Sequence, residues 1–400
     1  MTDARINTGM NRISPNCIRV AVDAHRLVCE SHTSGAFYLG SMLQEWIAPD
    51  PVFHFDLLLP VLPERQTPWT EIFSAPNVRL VTPERKMDPT VSYRAQLFWQ
   101  QVVIPSLMHR LRSDLYFSPF HLTPLWPRRV PVVSTIHDLC FLSDPFFSLG
   151  HQVHRWQINS ACLRAKALIC VSQFTCAALA RWSPRAAQKA VVVPNGIDSD
   201  RLAVTEAKNL IEHEAIPVKL REYFIWVGNP GQERKNIPLL LQAFVAHRKV
   251  FPEHRLVMVV PQSARGALME RELARQVGSS LVLLSGISGQ LRDALYACAA
   301  ALVFPSTCEG FGYPVAEAMA QGCPPIAAAT GPAAEIVGGA VPLCADFQPQ
   351  SFVQRMRECV GLREAQRASD AEKLRRRAEE FSIKRMAAAT LKVLSGALGQ

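Results

Sequence analysis

Four hundred residues, 48% hydrophobic and 19% charged, describe an ordinary globular chain long enough for two hydrophobic cores, so two domains are expected. The formal net charge of +9 divides into +4 over residues 1–200 and +5 over 201–400. That even spread argues against a nucleic-acid binder, which would concentrate its basic residues in one stripe, and suits an anionic small ligand or an anionic membrane surface.

The eleven cysteines form no C-x-x-C pair and one is left over, a pattern expected of buried thiols in a reducing compartment. The first thirty residues lack an apolar core of the signal-peptide kind, and no run approaches the ~18 apolar residues of a spanning helix. A cytoplasmic protein is expected, with at most peripheral contact at the inner face of the membrane.

In chain order, "IRVAVDA" (18–24) reads as a buried strand and "AFYLGSMLQEW" (36–46) as the helix that follows a turn holding Ser34 and Gly35. Further strands are predicted in "FHFDLLLP" (53–60), "DLYFSP" (114–119), "VPVVSTIHD" (130–138), "ALICVS" (167–172) and "KAVVVPNG" (189–196), with amphipathic helices such as 92–111 and 150–166 between them. Residues 198–222 are polar and weakly periodic and read as a linker. A second series then begins with "YFIWVGNPG" (223–231), "RLVMVV" (255–260), "SLVLLSG" (280–286), "ALVFPS" (301–306) and "CPPIAA" (323–328), and 371–398 closes the chain with helices. Short β-branched runs alternating with helices predict two parallel sheets with crossover helices.

Ligands of open parallel sheets bind beyond the carboxyl ends of the strands, so residues just after strands carry the chemistry. In "PSTCEGFGYPVAEAMAQG" (305–322), Pro314 suits the first position of a helix, which leaves Glu309 in the loop and Glu317 on the first turn. Gly310 and Gly312 would let backbone N–H groups approach a ligand, and two carboxylates beside them match the hydroxyls of a sugar and a ribose. Glycosidase-type carboxylates would need no cationic phosphate clamp. "VGNPGQERKN" (227–236) looks like one, because Arg234 offers a fork of donors and Lys235 a mobile point charge at a helix start. His137 and Asp138 in "TIHDL" lie at a strand end of the first series. The histidine could bond a hydroxyl or be held by a backbone carbonyl, and Asp138 could orient it or cap the next segment. "VVPNGID" (192–198) reads as a turn and hinge.

These segments, with "SG" at 34–35, together resemble the family 4 retaining glycosyltransferases of the bacterial mannosyltransferase-like branch, in order over most of the chain. The resemblance implies an α/β chain of the GT-B fold, two Rossmann-like domains with parallel sheets facing a central cleft. It implies an acceptor-side domain over 1–200, a nucleotide-sugar domain over 201–375, and a C-terminal helix in 376–400 packing back on the first domain. It further implies transfer of a hexose from a nucleotide diphosphate sugar, GDP-mannose ahead of UDP- or dTDP-sugars, to a polysaccharide, oligosaccharide or lipid-linked glycan. Configuration would be retained, with no cofactor and no metal. Residue by residue, Arg234 and Lys235 would hold the diphosphate, Glu317 the ribose, and Glu309 with Gly310, Phe311 and Gly312 the donor sugar. His137 would sit near the reacting centre, with Asp138 beside it, and Gly35 would bring the first loop to the phosphates. "SGAFYLG" departs from the G-x-G-R-Y of many relatives by placing Phe37 and Tyr38 where a glycine and an arginine are usual. A sugar-nucleotide epimerase and a non-catalytic binder on the same fold stay open. A nicotinamide dehydrogenase does not fit, since no G-x-G-x-x-G follows the first strand.

Overall fold

The computed structural model describes residues 5–6, 17–47, 52–63, 67–126, 129–143, 149–198, 200–264, 272–273 and 275–399. The chain divides into two units, Met1–Gly196 with Ile383–Gln400, and Ile197–Ser382.

The first unit is built on eight strands, β1 Arg5–Ile6, β2 Ile18–Asp23, β3 Phe53–Leu58, β4 Val78–Thr82, β5 Leu115–Ser118, β6 Val132–Ile136, β7 Ala167–Cys170 and β8 Ala190–Val192. Their order is β1-β4-β3-β2-β5-β6-β7-β8, parallel except for the antiparallel β1–β4 pair. Because side chains alternate along a strand, Val20, Val22, Phe55, Leu57 and Phe117 build a core on one face, while Ala21, Leu58, Tyr116 and Val132 build another on the opposite face. The helix Ile383–Leu398 closes the first core against the helix Ser34–Trp46, where Trp46 Nε1 donates to the Ala387 carbonyl at 3.1 Å. Gly196 is required at the chain's exit, since a Cβ there would lie 2.5 Å from Ile383 Cα.

The second unit holds β9 Tyr223–Val227, β10 Arg255–Val260, β11 Leu281–Ser285, β12 Ala301–Phe304 and β13 Pro325–Ala327 in the order β11-β10-β9-β12-β13, all parallel. Phe224, Trp226, Met258 and Val303 pack there against Leu240, Phe244, Phe352 and Met356 from the helices Ile237–Arg248 and Pro349–Val360.

Four sequence expectations change. Strand β4 is not evident in the sequence, because the charge of Arg79 breaks its apolar run at the second residue. That charge is answered by Asp56 on β3, which accepts from Arg79 Nε at 2.6 Å and Nη2 at 2.8 Å. The proposed linker contains a helix, Val204–His213, whose Ala207 and Ile211 are buried and which packs on the helix Gly289–Cys298. The helix foreseen over 92–111 is interrupted by a π-helical stretch, Trp99–Val103, and the Trp99 indole donates to Asp23 Oδ1 at 3.1 Å. Nine of the eleven cysteines are free, with Cys170, Cys298, Cys323, Cys344 and Cys359 buried; the expectation of thiols throughout is not met at Cys140 and Cys308.

Candidate active site

In each unit the chain reverses its direction across the sheet once. In the second unit β10 and β11 add to one side of β9, and β12 and β13 to the other. The loops after β9 and β12 therefore meet at a topological switch point, where open α/β sheets bind ligands.

The loop after β9 ends in a 3₁₀ turn, Glu233–Lys235, and Asn236 takes the left-handed conformation, φ 51°, before Pro238 enters the first turn of the next helix. That turn points Arg234 and Lys235 at the loop after β12. Thr307 N donates to the Arg234 carbonyl at 2.9 Å, and Arg234 Nη1 donates to the Cys308 carbonyl at 3.0 Å. Glu309 sits between the two cations. Its Oε2 pairs with Arg234 Nη1 and its Oε1 lies 2.5 Å from Lys235 Nζ. Glu309 and Lys235 are each only 8% exposed, and the Phe304 ring lies 5.8 Å from the ammonium. Two positive charges and one negative charge are thus held in a poorly hydrated corner, where each acts more strongly than it would in water.

Gly312 takes φ 104° and precedes the helix Tyr313–Ala320. It is buried, and a Cβ there would come within 3.3 Å of Ile336, so its first requirement is conformational. The Phe311 side chain is also buried, edge-on to Phe381 at 5.6 Å and to Tyr313 at 5.5 Å, and it anchors the loop. Gly310, between Glu309 and Phe311, is half-buried.

Glu317 lies one turn further into the helix than the sequence suggested, and helix Gly289–Cys298 supplies partners that the sequence did not reveal. Tyr296 Oη donates to Glu317 Oε2 at 3.3 Å, and Arg292 Nη1 lies 3.4 Å from Oε1. Arg292 Nη2 is also 3.3 Å from Asp293 Oδ1. Burial pushes the Asp293 carboxyl up to about 6, Arg292 pulls it down, and the negative charge of Glu317 adds to the rise. Burial opposes the Arg292 charge as well, yet Glu317, Tyr296 and Asp293 hold the guanidinium above its ordinary value. The four-residue spacing of Arg292 and Tyr296 on one helix face was the available signal.

The first unit carries its own switch point between β2 and β5, with β6 alongside. His137, just after β6, donates from Nε2 to the Pro119 carbonyl at 2.7 Å, stacks with Phe120 at 5.9 Å and meets the Tyr38 ring edge-on at 4.8 Å. Burial holds its pKa down at about 4; the Pro119 bond raises it and Arg26 lowers it further. The ring is therefore neutral near pH 7, with Nδ1 as an acceptor. Tyr38 is fixed in turn by a 3.1 Å bond between its hydroxyl and Thr135 Oγ1. Asp138 does not bond the ring; its Oδ1 accepts from Cys140 N at 3.0 Å and caps the 3₁₀ turn Cys140–Ser143. Gly35 is inside the helix, which begins at Ser34 behind the cap Thr33, and not in a preceding turn. A Cβ at Gly35 would lie 2.6 Å from Arg26 Nη1 and 3.2 Å from Phe120, so the closest approach it allows is that of Arg26, whose guanidinium lies 4.6 Å from the Phe120 ring. A buried pair also went unforeseen: His25 Nδ1 lies 2.8 Å from Asp23 Oδ1. Among the described residues no group of three His, Cys, Asp or Glu side chains is arranged to hold a metal ion.

Residues 61–201 match the profile of Glycosyltransferase Family 4, and residues 221–361 that of Glycosyl transferases group 1. This chain is a family 4 glycosyltransferase. It is 25% identical over 235 residues to the O-antigen chain mannosyltransferase B of Escherichia coli, covering 57% of this chain and 60% of that protein. It is 29% identical over 216 residues to the MMP alpha-(1->4)-mannosyltransferase of Mycolicibacterium hassiacum, covering 52% of this chain and 49% of that one. The matches thus span about half to three-fifths of the length of these relatives. Both relatives are mannosyltransferases. Its fold is GT-B. The crystal structure of Anabaena Alr3699/HepE in complex with UDP superposes with a TM-score of 0.69 at 17% identity, over 95% of this chain and 100% of that one. The sucrose-phosphate synthase of Thermosynechococcus elongatus gives 0.72 at 17% identity, over 95% and 98%. The glycosyltransferase WaaG, involved in lipopolysaccharide biosynthesis, gives 0.71 at 14% identity, over 95% and 100%.

Proposed function

We propose that this glycosyltransferase moves a hexosyl group, mannose from GDP-mannose in first place, from a nucleotide diphosphate sugar to a glycan or lipid-linked glycan acceptor. The observation that carries this reading is the pair of cations, Arg234 and Lys235, gathered on Glu309 at the switch point of the second unit. The two mannosyltransferase relatives support mannose, and the UDP complex of the Anabaena neighbour keeps UDP-sugars as the alternative donor.

In this reading Arg234 and Lys235 neutralise the charge that develops on the leaving diphosphate, which is electrostatic catalysis by preorganised groups. Glu309 and the backbone at Gly310 take the donor sugar hydroxyls, and Glu317 takes the ribose. His137, neutral, accepts a hydroxyl at Nδ1. The bond from the anomeric carbon to the phosphate oxygen breaks as the bond to the acceptor oxygen forms on the same face. The acceptor proton passes to the departing diphosphate, so configuration is retained and neither a protein nucleophile nor a metal is required. We further propose peripheral contact with a membrane face, supported by the exposed rings of Tyr93, Phe98, Trp126 and Trp156 among arginines of the first unit. No helix among the described residues is long and apolar enough to cross a membrane.

The test is a thermal-shift panel of GDP, UDP, dTDP, ADP, their sugar conjugates and NAD(H), followed by transfer assays with the stabilising donor in the presence of EDTA. One nucleoside diphosphate and its sugar should raise the midpoint, and the product should keep the donor's anomeric configuration. Stabilisation by NAD(H) alone, or transfer with inversion, would sink the reading.

A further inference from the structure

A buried ammonium and a half-buried guanidinium side by side would ordinarily repel each other and be costly to desolvate. Here the cost is offset internally, because each oxygen of Glu309 takes one of them, Lys235 at 2.5 Å and Arg234 on the other side. The arrangement copies what two phosphate oxygens would do. It is also rigid, since the Arg234 carbonyl is bonded by Thr307 N at 2.9 Å and the Arg234 guanidinium holds the Cys308 carbonyl, which fixes the residues on either side of the contact. The trio carries a formal charge of +1, whereas a diphosphate ester brings two negative charges or more. An anion entering this corner therefore meets cations whose charge is already half answered.

We propose that Glu309 is a built-in counter-anion of the Arg234–Lys235 pair: it holds both side chains in place while the site is empty, and an incoming diphosphate must share them with it. The proposal rests on the assignment of this corner to a diphosphate and adds a consequence that assignment does not contain. Ground-state binding of the anion is weakened by Glu309, so the cations keep part of their attraction for the larger charge on the leaving diphosphate. A residue that only touched the donor sugar would leave the affinity for a sugar-free anion unchanged.

Inorganic pyrophosphate is the probe, because it has no sugar for Glu309 to contact. Its binding to wild type, Glu309→Gln and Arg234→Gln is measured by calorimetry and thermal shift, with sodium chloride at matched ionic strength as the control. Glu309→Gln keeps the shape of the side chain and removes its charge; it should melt lower than wild type when empty, bind pyrophosphate about ten-fold more tightly, and gain the larger thermal shift. Arg234→Gln leaves Lys235 and Glu309 as a neutral pair and should lose the pyrophosphate response, and Arg234→Gln combined with Glu309→Gln, which frees Lys235, should regain it; if Glu309→Gln does not fold, this double variant decides. Equal or weaker pyrophosphate binding by Glu309→Gln, or an undiminished response in Arg234→Gln, overturns the proposal. The two failures separate: if no nucleoside diphosphate stabilises wild type, the donor assignment falls, whereas if one does and Glu309→Gln gains nothing with pyrophosphate, only the counter-anion does.

Discussion

The two switch points occupy equivalent places in their sheets and are lined by opposite chemistry. After β9 and β12 the side chains are ionic, with Arg234, Lys235 and Glu309 in one cluster and Arg292, Asp293 and Glu317 in another. In the first unit the segments after β5 and β6 and the helix Ser34–Trp46 bring together aromatic rings, Phe120 and Tyr38, and a histidine held uncharged by its surroundings, with the Arg26 guanidinium 4.6 Å from the Phe120 ring and, among the described residues, no carboxylate bonded to the histidine. A charged ligand is recognised by charges that the fold holds apart from water, and a hydroxyl-rich neutral one by stacking surfaces and fixed acceptors. One fold thus offers an ion-paired corner and an aromatic one from the same kind of strand end.

The sharpest break in this comparison comes from Lys235→Ala set beside His137→Ala. Removing the ammonium should lower turnover by about 10²- to 10³-fold, in the range of other preorganised charge stabilisers, and should also weaken nucleotide binding, because Arg234 and Glu309 are left as a neutral pair. His137→Ala removes a hydrogen bond and a stacked ring and should cost about ten-fold in kcat/KM. Steady-state kinetics with the donor found in the thermal-shift panel decides, and equal losses would erase the distinction between the two ends.

A smaller effect separates the two carboxylates of the second unit. Glu317→Ala should raise the donor Kd about ten-fold with kcat nearly kept, the signature of a group that binds ground state and transition state alike. Arg292→Ala should weaken donor binding by less, about three-fold, because Tyr296 still holds Glu317 Oε2. If Arg292→Ala proves the more damaging variant, the guanidinium contacts the ligand directly.

Much of this contrast could be read from the chain. The strands that carry the site are continuous, mostly apolar runs, as buried parallel strands must be, and the glycines and charges follow them directly. The order "VGNPGQERKN" gave Arg234 and Lys235, and "CEGFGYPVAEAM" gave Glu309 and Glu317. What the spacing could not give was their pairing, since Glu309 meets Lys235 across 74 positions. Nor does a phenylalanine in a glycine-rich loop announce that its ring turns inward onto Phe381, or a histidine–aspartate dipeptide that the two side chains part company. Strand β4 and the helix Val204–His213 were missed because half-exposed elements carry charges on their open faces, which weakens the pattern that reveals buried ones.

The finest test concerns which end titrates. His137 is held near 4, so it stays uncharged from pH 5.5 to 8, whereas Asp293 is raised to about 6 and changes charge within that window. A carboxyl whose folded pKa lies above its unfolded value of about 3.9 stabilises the fold at low pH and loses that contribution as pH rises through 6. Asp293→Asn should therefore leave stability nearly unchanged at pH 3, raise it partly by pH 5 and raise it most at pH 8, by about 1 kcal/mol once the partial exposure of the side chain is allowed for. Donor binding should follow the same curve, because a protonated Asp293 leaves Arg292 free to offset Glu317 alone and makes the corner less negative toward a phosphate. Wild type should lose a few-fold in donor affinity between pH 5.5 and 7.5, and Asp293→Asn should be flat. His137→Gln, measured over the same range, should keep the wild-type slope. A slope that vanishes with His137→Gln and survives in Asp293→Asn would move the titrating group to the first unit and reverse the assignment of neutral and ionic ends.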